Sequence, residues 1–223
     1  MKTIGVCTTL NEEDSIRGLV LGLRASGCDE VVIVDAASTD LTCSFASIAG
    51  AIVIDAEYRA PLSVCLVQAW KIALERNADA VVQIDAGNSH NPLEVGRFLK
   101  ALQGADMVIG SRFCKGADYE GGSLMRKWGS RIAAKLCSSA PNTMNLTDWT
   151  SGYRAFRSQT LEALVKVEYH ATMHGWQIEV LASAIRFGFY VEEIPIVYRA
   201  GRSSFDFKAA REAYNVWRGL HYV

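Results

Sequence analysis

The feature of the chain that most restricts its fold is a series of short apolar segments that end at a carboxylate. Three of these segments predict buried strands: residues 31–34 before Asp35, 51–54 before Asp55 and 80–84 before Asp85. Stretches of helical periodicity separate the segments, and this alternation predicts an α/β fold with a parallel sheet. Open sheets of this kind bind ligands beyond the carboxyl ends of their strands. We therefore expect a polar ligand site there, although Asp85 and Asn88 could instead only cap the next helix.

Length, composition and charge exclude several classes of protein. The 223 residues are 50% hydrophobic, enough for one domain with a large core. A net charge of −1 leaves no overall basic surface for nucleic acid, so a nucleic-acid partner is not expected. No glycine-rich dinucleotide fingerprint follows the predicted first strand at residues 3–8, which argues against a nicotinamide enzyme.

Cysteine spacing and hydropathy predict a compartment. The six cysteines have no paired spacing and indicate reduced structural thiols. The sequence shows no signal peptide and no apolar run long enough for a bilayer. We expect a cytoplasmic protein whose contact with a membrane is peripheral or through a membrane partner subunit.

Local patterns predict the remaining elements. Asn11 is a candidate N-cap for the first helix, and a proline within residues 190–196 predicts a strand there that is either at an edge of the sheet or irregular. Residues 113–122 are predicted to be a polar loop. The other predicted helices span residues 41–49, 61–76, 92–102, 123–138, 158–165, 176–187 and 205–220, with a further strand at 107–109. The last helix is aromatic and mildly basic, and it either lies on a membrane surface or packs on protein.

Segments throughout the chain resemble, in order, the motifs of one enzyme family. Residues 83–87, QIDAG, stand where that family has its Asp-x-Asp metal motif, and residues 110–113, GSRF, resemble its Gly-Ser-Arg-Tyr element. The other matching segments are 8–13 (TTLNEE), 31–40 (VVIVDAASTD), 124–130 (LMRKWGS), 148–156 (DWTSGYRAF), 176–179 (WQIE) and 191–196 (VEEIPI). The chain is similar to family 2 glycosyltransferases of GT-A fold, in the branch of dolichyl- and polyprenyl-phosphate mannosyl- and glucosyltransferases.

This resemblance implies an activity and a domain organisation. It implies one catalytic domain over residues 1–223, with a nucleotide-sugar half at 1–112 and an acceptor half at 113–223. The implied reaction is inverting transfer of a hexose from a GDP- or UDP-linked sugar to polyprenyl or dolichyl phosphate. Oxygen ligands suit the Mg²⁺ or Mn²⁺ ion that would neutralise the departing diphosphate. The lipid phosphate is already an anion, so a general base is not obligatory.

The resemblance also implies site residues. Asp85, Arg112 and Asp148 are the expected catalytic residues, and Asp85 is the expected metal ligand. The expected donor-binding residues are Thr8, Leu10, Glu12, Asp35 and Asp85. Arginine's planar fork suits phosphate, and the expected acceptor-phosphate residues are Arg112, Arg126, Ser130 and Arg202.

The chain departs from the family's motifs at several positions. Ala36 and Gly87 stand where the family has acids, Ser89 replaces a glutamine, and Ser204 replaces a lysine. These departures leave two other interpretations open. Asp148 could be the base for a hydroxyl acceptor on a glycan, small molecule or modified nucleic-acid base, or the chain could bind nucleotide sugars without catalysis.

Some side chains have two interpretations that the sequence does not separate. Asp148 could instead cap the turn at residues 151–152, and Glu179 could orient the acceptor or pair with an arginine. His170 and His174 have a spacing that could place two imidazoles on one helix face, although surface or substrate-loop histidines are the preferred interpretation.

Overall fold

The computed structural model describes residues 1–55, 60–121, 131, 146–172, 175–200 and 215. The strands within these residues are β1 (Thr3–Thr9), β2 (Glu30–Asp35), β3 (Ile52–Asp55), β4 (Ala80–Gln83), β5 (Met107–Ser111), β6 (Asp118–Glu120), β7 (Arg154–Arg157), β8 (Val191–Pro195) and β9 (Val197–Arg199). Seven of them form a sheet of order β3-β2-β1-β4-β7-β5-β8, while β6 and β9 pair in parallel as a separate ribbon. The predicted α/β class and the edge position of β8 are confirmed.

Helices cover both faces of this sheet. They are α1 (Glu13–Ala25), α2 (Thr42–Ile48), α3 (Leu62–Glu75), α4 (Val95–Ala101), α5 (Ser158–Leu164) and α6 (Gly175–Arg186), and a 3₁₀ turn at Pro92–Glu94 precedes α4. Because successive strand residues point to opposite faces, Val32 and Val34 join one core while Val31 and Ile33 join the other. The first core lies under α3, α5 and α6 and contains Trp70, Trp149 and Trp176; the second lies under α1 and α4.

One strand of the sheet was not predicted from the sequence. The prediction of a parallel sheet holds for β1–β4, but β7 lies between β4 and β5 and runs antiparallel to both. Its four residues begin and end with arginine, so they do not resemble an apolar strand. Phe156 nevertheless packs in one core and Ala155 in the other. The start of β7 therefore lies at the same edge of the sheet as the ends of β4 and β5.

Two local predictions were wrong. Asn11 is not the N-cap of α1: the cap position is Glu12, and Asn11 has φ 56° with its Oδ1 accepting the backbone N–H of Thr39 at 2.8 Å. Asn11 thus ties two loops together instead of beginning a helix. The predicted loop at residues 113–122 contains β6, which is too short and polar to be recognised before its partner β9 is known.

Other predicted elements lie wholly or partly outside the described residues. Of the predicted helices at 123–138 and 205–220, only Arg131 and Asn215 are described, and both are helical. None of the helices within the described part of the chain has the length and apolar character of a membrane span.

Candidate active site

Asp85 follows β4, and its side chain is fixed by two neighbours. His90 Nε2 lies 3.2 Å from Asp85 Oδ2, and the exposed fractions of the two side chains are 1% and 50%. A Cβ added to Gly152 would lie 2.4 Å from Asp85 Oδ1, so any other residue there would displace the Asp85 carboxylate from this position. Buried Gln83 on β4 holds Gly152 in place by donating to its carbonyl at 3.0 Å. The carboxylate is therefore oriented by the protein while half of it faces solvent.

His90 was not recognised in the sequence. Its ring is buried with centroids 5.2 Å from both Tyr153 and Tyr198, and its Nδ1 has no hydrogen-bond partner among the described residues. The one signal available beforehand was its place on the same loop as Asp85. A polar loop gives no sequence indication that one of its side chains is buried.

The predicted donor-binding residues gather at the ends of β1 and β2. Thr8 and Leu10 are half-buried at the end of β1. The β1–β2 register pairs Thr9 with Asp35, which is buried and accepts hydrogen bonds from Thr9 Oγ1 at 2.8 Å and from the N–H and Oγ of Ser38 at 2.7 and 2.6 Å. Asp35 therefore fixes the loop after β2 as well as standing at the predicted site.

Glu12 stands beside the position where the second acid of the metal motif is missing. A Cβ added to Gly87 would lie 3.3 Å from Glu12 Oε1. Burial and then the negative charges of Asp85 and Glu12 raise the pKa of the Cys7 thiol, so both carboxylates lie near that side chain. Within the described ranges, no group of three or more acidic, histidine or cysteine side chains is arranged around a common metal position. Asp85 and Glu12 lie on different loops, and the charges of both carboxylates act on the Cys7 thiol.

Arg112 and Asp148 form a two-point ion pair at the end of β5. Arg112 Nε and Nη2 each donate to a carboxylate oxygen of Asp148 at 2.7 Å, and the Arg112 backbone N–H donates at 3.0 Å. Burial alone would raise the pKa of Asp148, but the charge and hydrogen bonds of Arg112, with the backbone N–H of Thr150, hold it below its ordinary value. Asp148 is therefore an ionised partner of Arg112.

Glu193 on β8 holds the segment that carries Asp148. Its carboxylate accepts the backbone N–H groups of Thr147 and Asp148 at 2.8 and 2.7 Å. The Arg112 guanidinium in turn lies 5.2 Å from the ring centroids of Phe113 and Tyr198, and its side chain is 11% exposed. Arg112 is thus a cation with a fixed position.

A second buried arginine, Arg154, was also missed as a site residue. Its Nε and Nη2 donate to the carbonyls of Ser151 and Trp149 at 2.8 and 3.1 Å, and its Nη1 has no hydrogen-bond partner among the described residues. Burial lowers the pKa of Arg154 to about 9 against the opposing charges of Asp148 and Asp85. Arg154 is therefore positive at neutral pH and lies within the influence of both acids.

Some predicted site residues have no described position. Arg126, Ser130 and Arg202 lie outside the described residues, as does His174, which was weighed as a metal ligand but not preferred as one. Arg131 is described, and its guanidinium lies 5.3 Å from the Phe113 ring centroid, so a second cation reaches the surface beside Arg112. Glu179 accepts the backbone N–H groups of His170 and Ala171 at 3.1 and 3.0 Å.

The fold is that of the GT-A glycosyltransferases. The glucosyl-3-phosphoglycerate synthase of Mycobacterium tuberculosis, solved in complex with UDP, matches with a TM-score of 0.77 over 100% of this chain and 80% of that one. The two sequences are 21% identical, so the match establishes the fold. No family model matches the chain.

Two curated relatives narrow the class further. An undecaprenyl-phosphate mannosyltransferase of Micrococcus luteus is 31% identical over 208 residues, which cover 89% of this chain and 84% of that protein. A polyprenol monophosphomannose synthase of Mycolicibacterium smegmatis is 30% identical over 213 residues, covering 88% and 77%. The chain belongs to the family 2 glycosyltransferases of GT-A fold, in the branch of the dolichyl- and polyprenyl-phosphate mannosyl- and glucosyltransferases.

Proposed function

We propose that the protein transfers a hexose, with inversion, from a GDP- or UDP-linked sugar to a polyprenyl or dolichyl phosphate. The observation that carries this proposal is the half-exposed Asp85 carboxylate, oriented by His90 and Gly152 at the ligand-binding edge of the sheet. The names of the two relatives support the lipid-phosphate acceptor. Because such an acceptor resides in a membrane, the proposal places the protein at a membrane surface during turnover.

The residues divide between the two substrates. Thr8, Leu10, Glu12 and Asp35 would bind the nucleotide, with Asp85 next to the diphosphate. A lipid-phosphate oxygen attacks the anomeric carbon as the bond from that carbon to the nucleotide diphosphate breaks, which gives inversion. Arg112 would hold the anionic acceptor, since guanidinium pairs well with phosphate. Arg126, Ser130 and Arg202 stay predicted as further acceptor contacts.

The donor set fits a hard divalent cation. Asp85 and Glu12 would hold Mg²⁺ or Mn²⁺ together with oxygens of the donor diphosphate, because carboxylates and phosphates are the ligands these ions prefer. The carboxylate of Glu12 already stands beside Gly87, where the family has its second acid. The bound ion would neutralise charge on the leaving diphosphate.

The ion pair of Asp148 favours a phosphate acceptor over a hydroxyl acceptor. A hydroxyl must lose its proton to a base, and a useful base has a pKa near the working pH. Asp148 is buried, ionised and bonded through both oxygens to Arg112, with a pKa below its ordinary value. Asp148 is therefore better suited to holding Arg112 in position than to accepting a proton. An anionic phosphate acceptor requires no base.

Calorimetric binding of GDP and UDP, each with and without Mn²⁺, tests the donor site. Asp85→Ala should abolish the Mn²⁺-dependent part of binding, while Asp14→Ala, which removes an exposed acid of α1, should leave it intact. Radiolabelled transfer from GDP-mannose or UDP-glucose to undecaprenyl phosphate tests the reaction. Transfer to hydroxyl acceptors alone would contradict the proposed acceptor, and binding without any transfer would support the silent alternative.

A further inference from the structure

A continuous set of rings joins the donor side of the site to the acceptor side. We call His90, Tyr198, Tyr119 and Phe113 the aromatic bridge. Its successive ring centroids are 5.2 Å apart from His90 to Tyr198, 5.1 Å from Tyr198 to Tyr119 and 6.3 Å from Tyr119 to Phe113. His90 contacts Asp85 at one end, and the Arg112 guanidinium lies over both Tyr198 and Phe113.

His90 has the contacts of a group that orients a neighbour. Its Nε2 can donate to Asp85 Oδ2, while Tyr153 and Tyr198 confine the ring on two sides. Tyr153 is itself stacked on Phe98 with a centroid distance of 4.1 Å, so the ring on one side of His90 is part of the hydrophobic core. The imidazole therefore has little freedom to turn, and the same holds for the carboxylate oxygen that it contacts.

Tyr198 is the one member of the bridge that contacts both His90 and Arg112 among the described residues. It lies on β9, whose backbone is tied to the Asp85 loop because the N–H of Arg199 donates to the Ser89 carbonyl at 2.9 Å. The side of β9 away from that loop pairs with β6, which carries Tyr119. The position of the Tyr198 ring is thus set by the same loop that carries Asp85.

We propose that His90 and Tyr198 are positioning residues, which hold the donor-side carboxylate of Asp85 and the acceptor-side guanidinium of Arg112 at a fixed separation. This inference rests on the proposed function. The bond that forms in the transfer requires the two substrates to meet at a defined distance, and misplacing either one reduces the rate. The Tyr198 ring serves both sides, whereas the essential group of His90 is Nε2.

Paired substitutions separate ring packing from hydrogen bonding at His90. His90→Phe keeps a ring between Tyr153 and Tyr198 but removes Nε2, and it should lower kcat and the affinity for Mn²⁺ with GDP or UDP by about 10–100-fold, as loss of a ligand's supporting partner does. His90→Gln places an amide N–H near the position of Nε2 and should recover most of both. A purely structural role would give the opposite order of the two variants.

At Tyr198 the ring is expected to matter and the hydroxyl is not. Tyr198→Leu should lower kcat and raise the KM for undecaprenyl phosphate about tenfold, because Arg112 loses a cation–π partner and His90 loses a wall. Tyr198→Phe should recover both constants. Tyr190→Leu changes an exposed tyrosine before β8 and is the matched control.

A double variant tests whether the two residues act together. The loss in His90→Phe with Tyr198→Leu should be smaller than the product of the single losses, because both act on the same geometry. Wild-type values for His90→Phe in nucleotide binding and transfer would overturn the inference while leaving the proposed function in place. A wild-type protein that neither binds nucleotide nor transfers sugar would overturn both.

Discussion

At the level of single residues, the Glu12 carboxylate lies beside Gly87, the position at which the family's metal motif has an acid and this chain has none. The missing side chain at Gly87 leaves room that the Glu12 carboxylate approaches, at 3.3 Å from where a Cβ would be. Ser15 Oγ donates to Glu12 Oε2 at 2.9 Å and steadies that carboxylate. Under the proposed function, the Glu12 carboxylate from the loop after β1 would take the place of the acid that the family has in the loop after β4.

If Glu12 replaces the missing acid as a metal ligand, an acid introduced at Gly87 should rescue the Mn²⁺ affinity of a Glu12 variant. Glu12→Gln should weaken Mn²⁺ binding in the presence of GDP or UDP about tenfold, since cation affinity follows the number of charged ligands. Adding Gly87→Asp to Glu12→Gln should restore the affinity, whereas Gly87→Asp alone places two carboxylates in contact and should not improve it. Electron paramagnetic resonance of free Mn²⁺ measures this without turnover, with Asp14→Asn as control. Failure of the double variant to recover would exclude Glu12 as the substitute.

Sequence patterns identified the exposed acid of the site better than its buried supports. Asp85 follows an apolar run and stands in a motif, so both signals were available. The supporting roles of Gly152 and Gln83 depend on contacts between residues far apart in the chain, and that of His90 depends on its burial within a loop. No local sequence pattern indicates such contacts or such burial. Arg154 lies within the matching segment 148–156, but its burial follows from the position of β7 inside the sheet, which the sequence did not predict.

At the level of elements, the loop after β2 carries backbone strain. Ala37 has φ 62°, a left-handed conformation that costs a residue with a Cβ about 1–2 kcal/mol. The neighbouring hydrogen bonds from Ser38 to Asp35 hold the loop in this conformation.

Ala37→Gly should therefore stabilise the protein. Relief of the strain outweighs the extra freedom of glycine in the unfolded chain, and the free energy of unfolding should rise by about 0.5–1 kcal/mol. Urea denaturation measures the change. Gly96→Ala is a positive control that should also stabilise the protein, because a Cβ there meets nothing within 4 Å and α4 gains a better helix former. An unchanged or lower stability for Ala37→Gly would mean that the loop relaxes without cost.

The elements with regular periodicity were predictable, and the irregular ones were not. β1–β4 and helices α1, α3 and α6 have apolar patterns that match their buried faces, so their predictions were close. β6 and β9 are short, and their pairing with each other defines them. β7 carries a buried arginine, Arg154, whose burial is offset by two carbonyls of the preceding turn and by the charges of Asp148 and Asp85, and none of these contacts can be recognised in a local pattern.

At the level of the whole molecule, the Arg112–Asp148 pair predicts sensitivity to acid. The pKa of Asp148 is lower in the folded state than in the unfolded chain, so its contribution to stability is complete above the ordinary carboxyl value of about 4 and is lost as pH falls through the folded-state value. Asp148→Asn should remove this part of the pH dependence and lower stability at pH 7 by about 3 kcal/mol, because Arg112 is left without its charge partner. Urea unfolding at pH 7 and pH 3 compares the two proteins. If the free energy of unfolding falls equally with pH in both proteins, Asp148 is not the source of this part of the acid sensitivity.

The position of β7 has a consequence for synthesis on the ribosome. β4 and β5 leave the exit tunnel before the strand that must separate them, and at about 5–20 residues per second the interval lasts seconds. During that interval β4 has an unpaired edge with apolar faces, a surface prone to pairing with other chains. We expect nascent chains stalled before residue 154 to depend on chaperones, and release from that dependence should coincide with the arrival of β7.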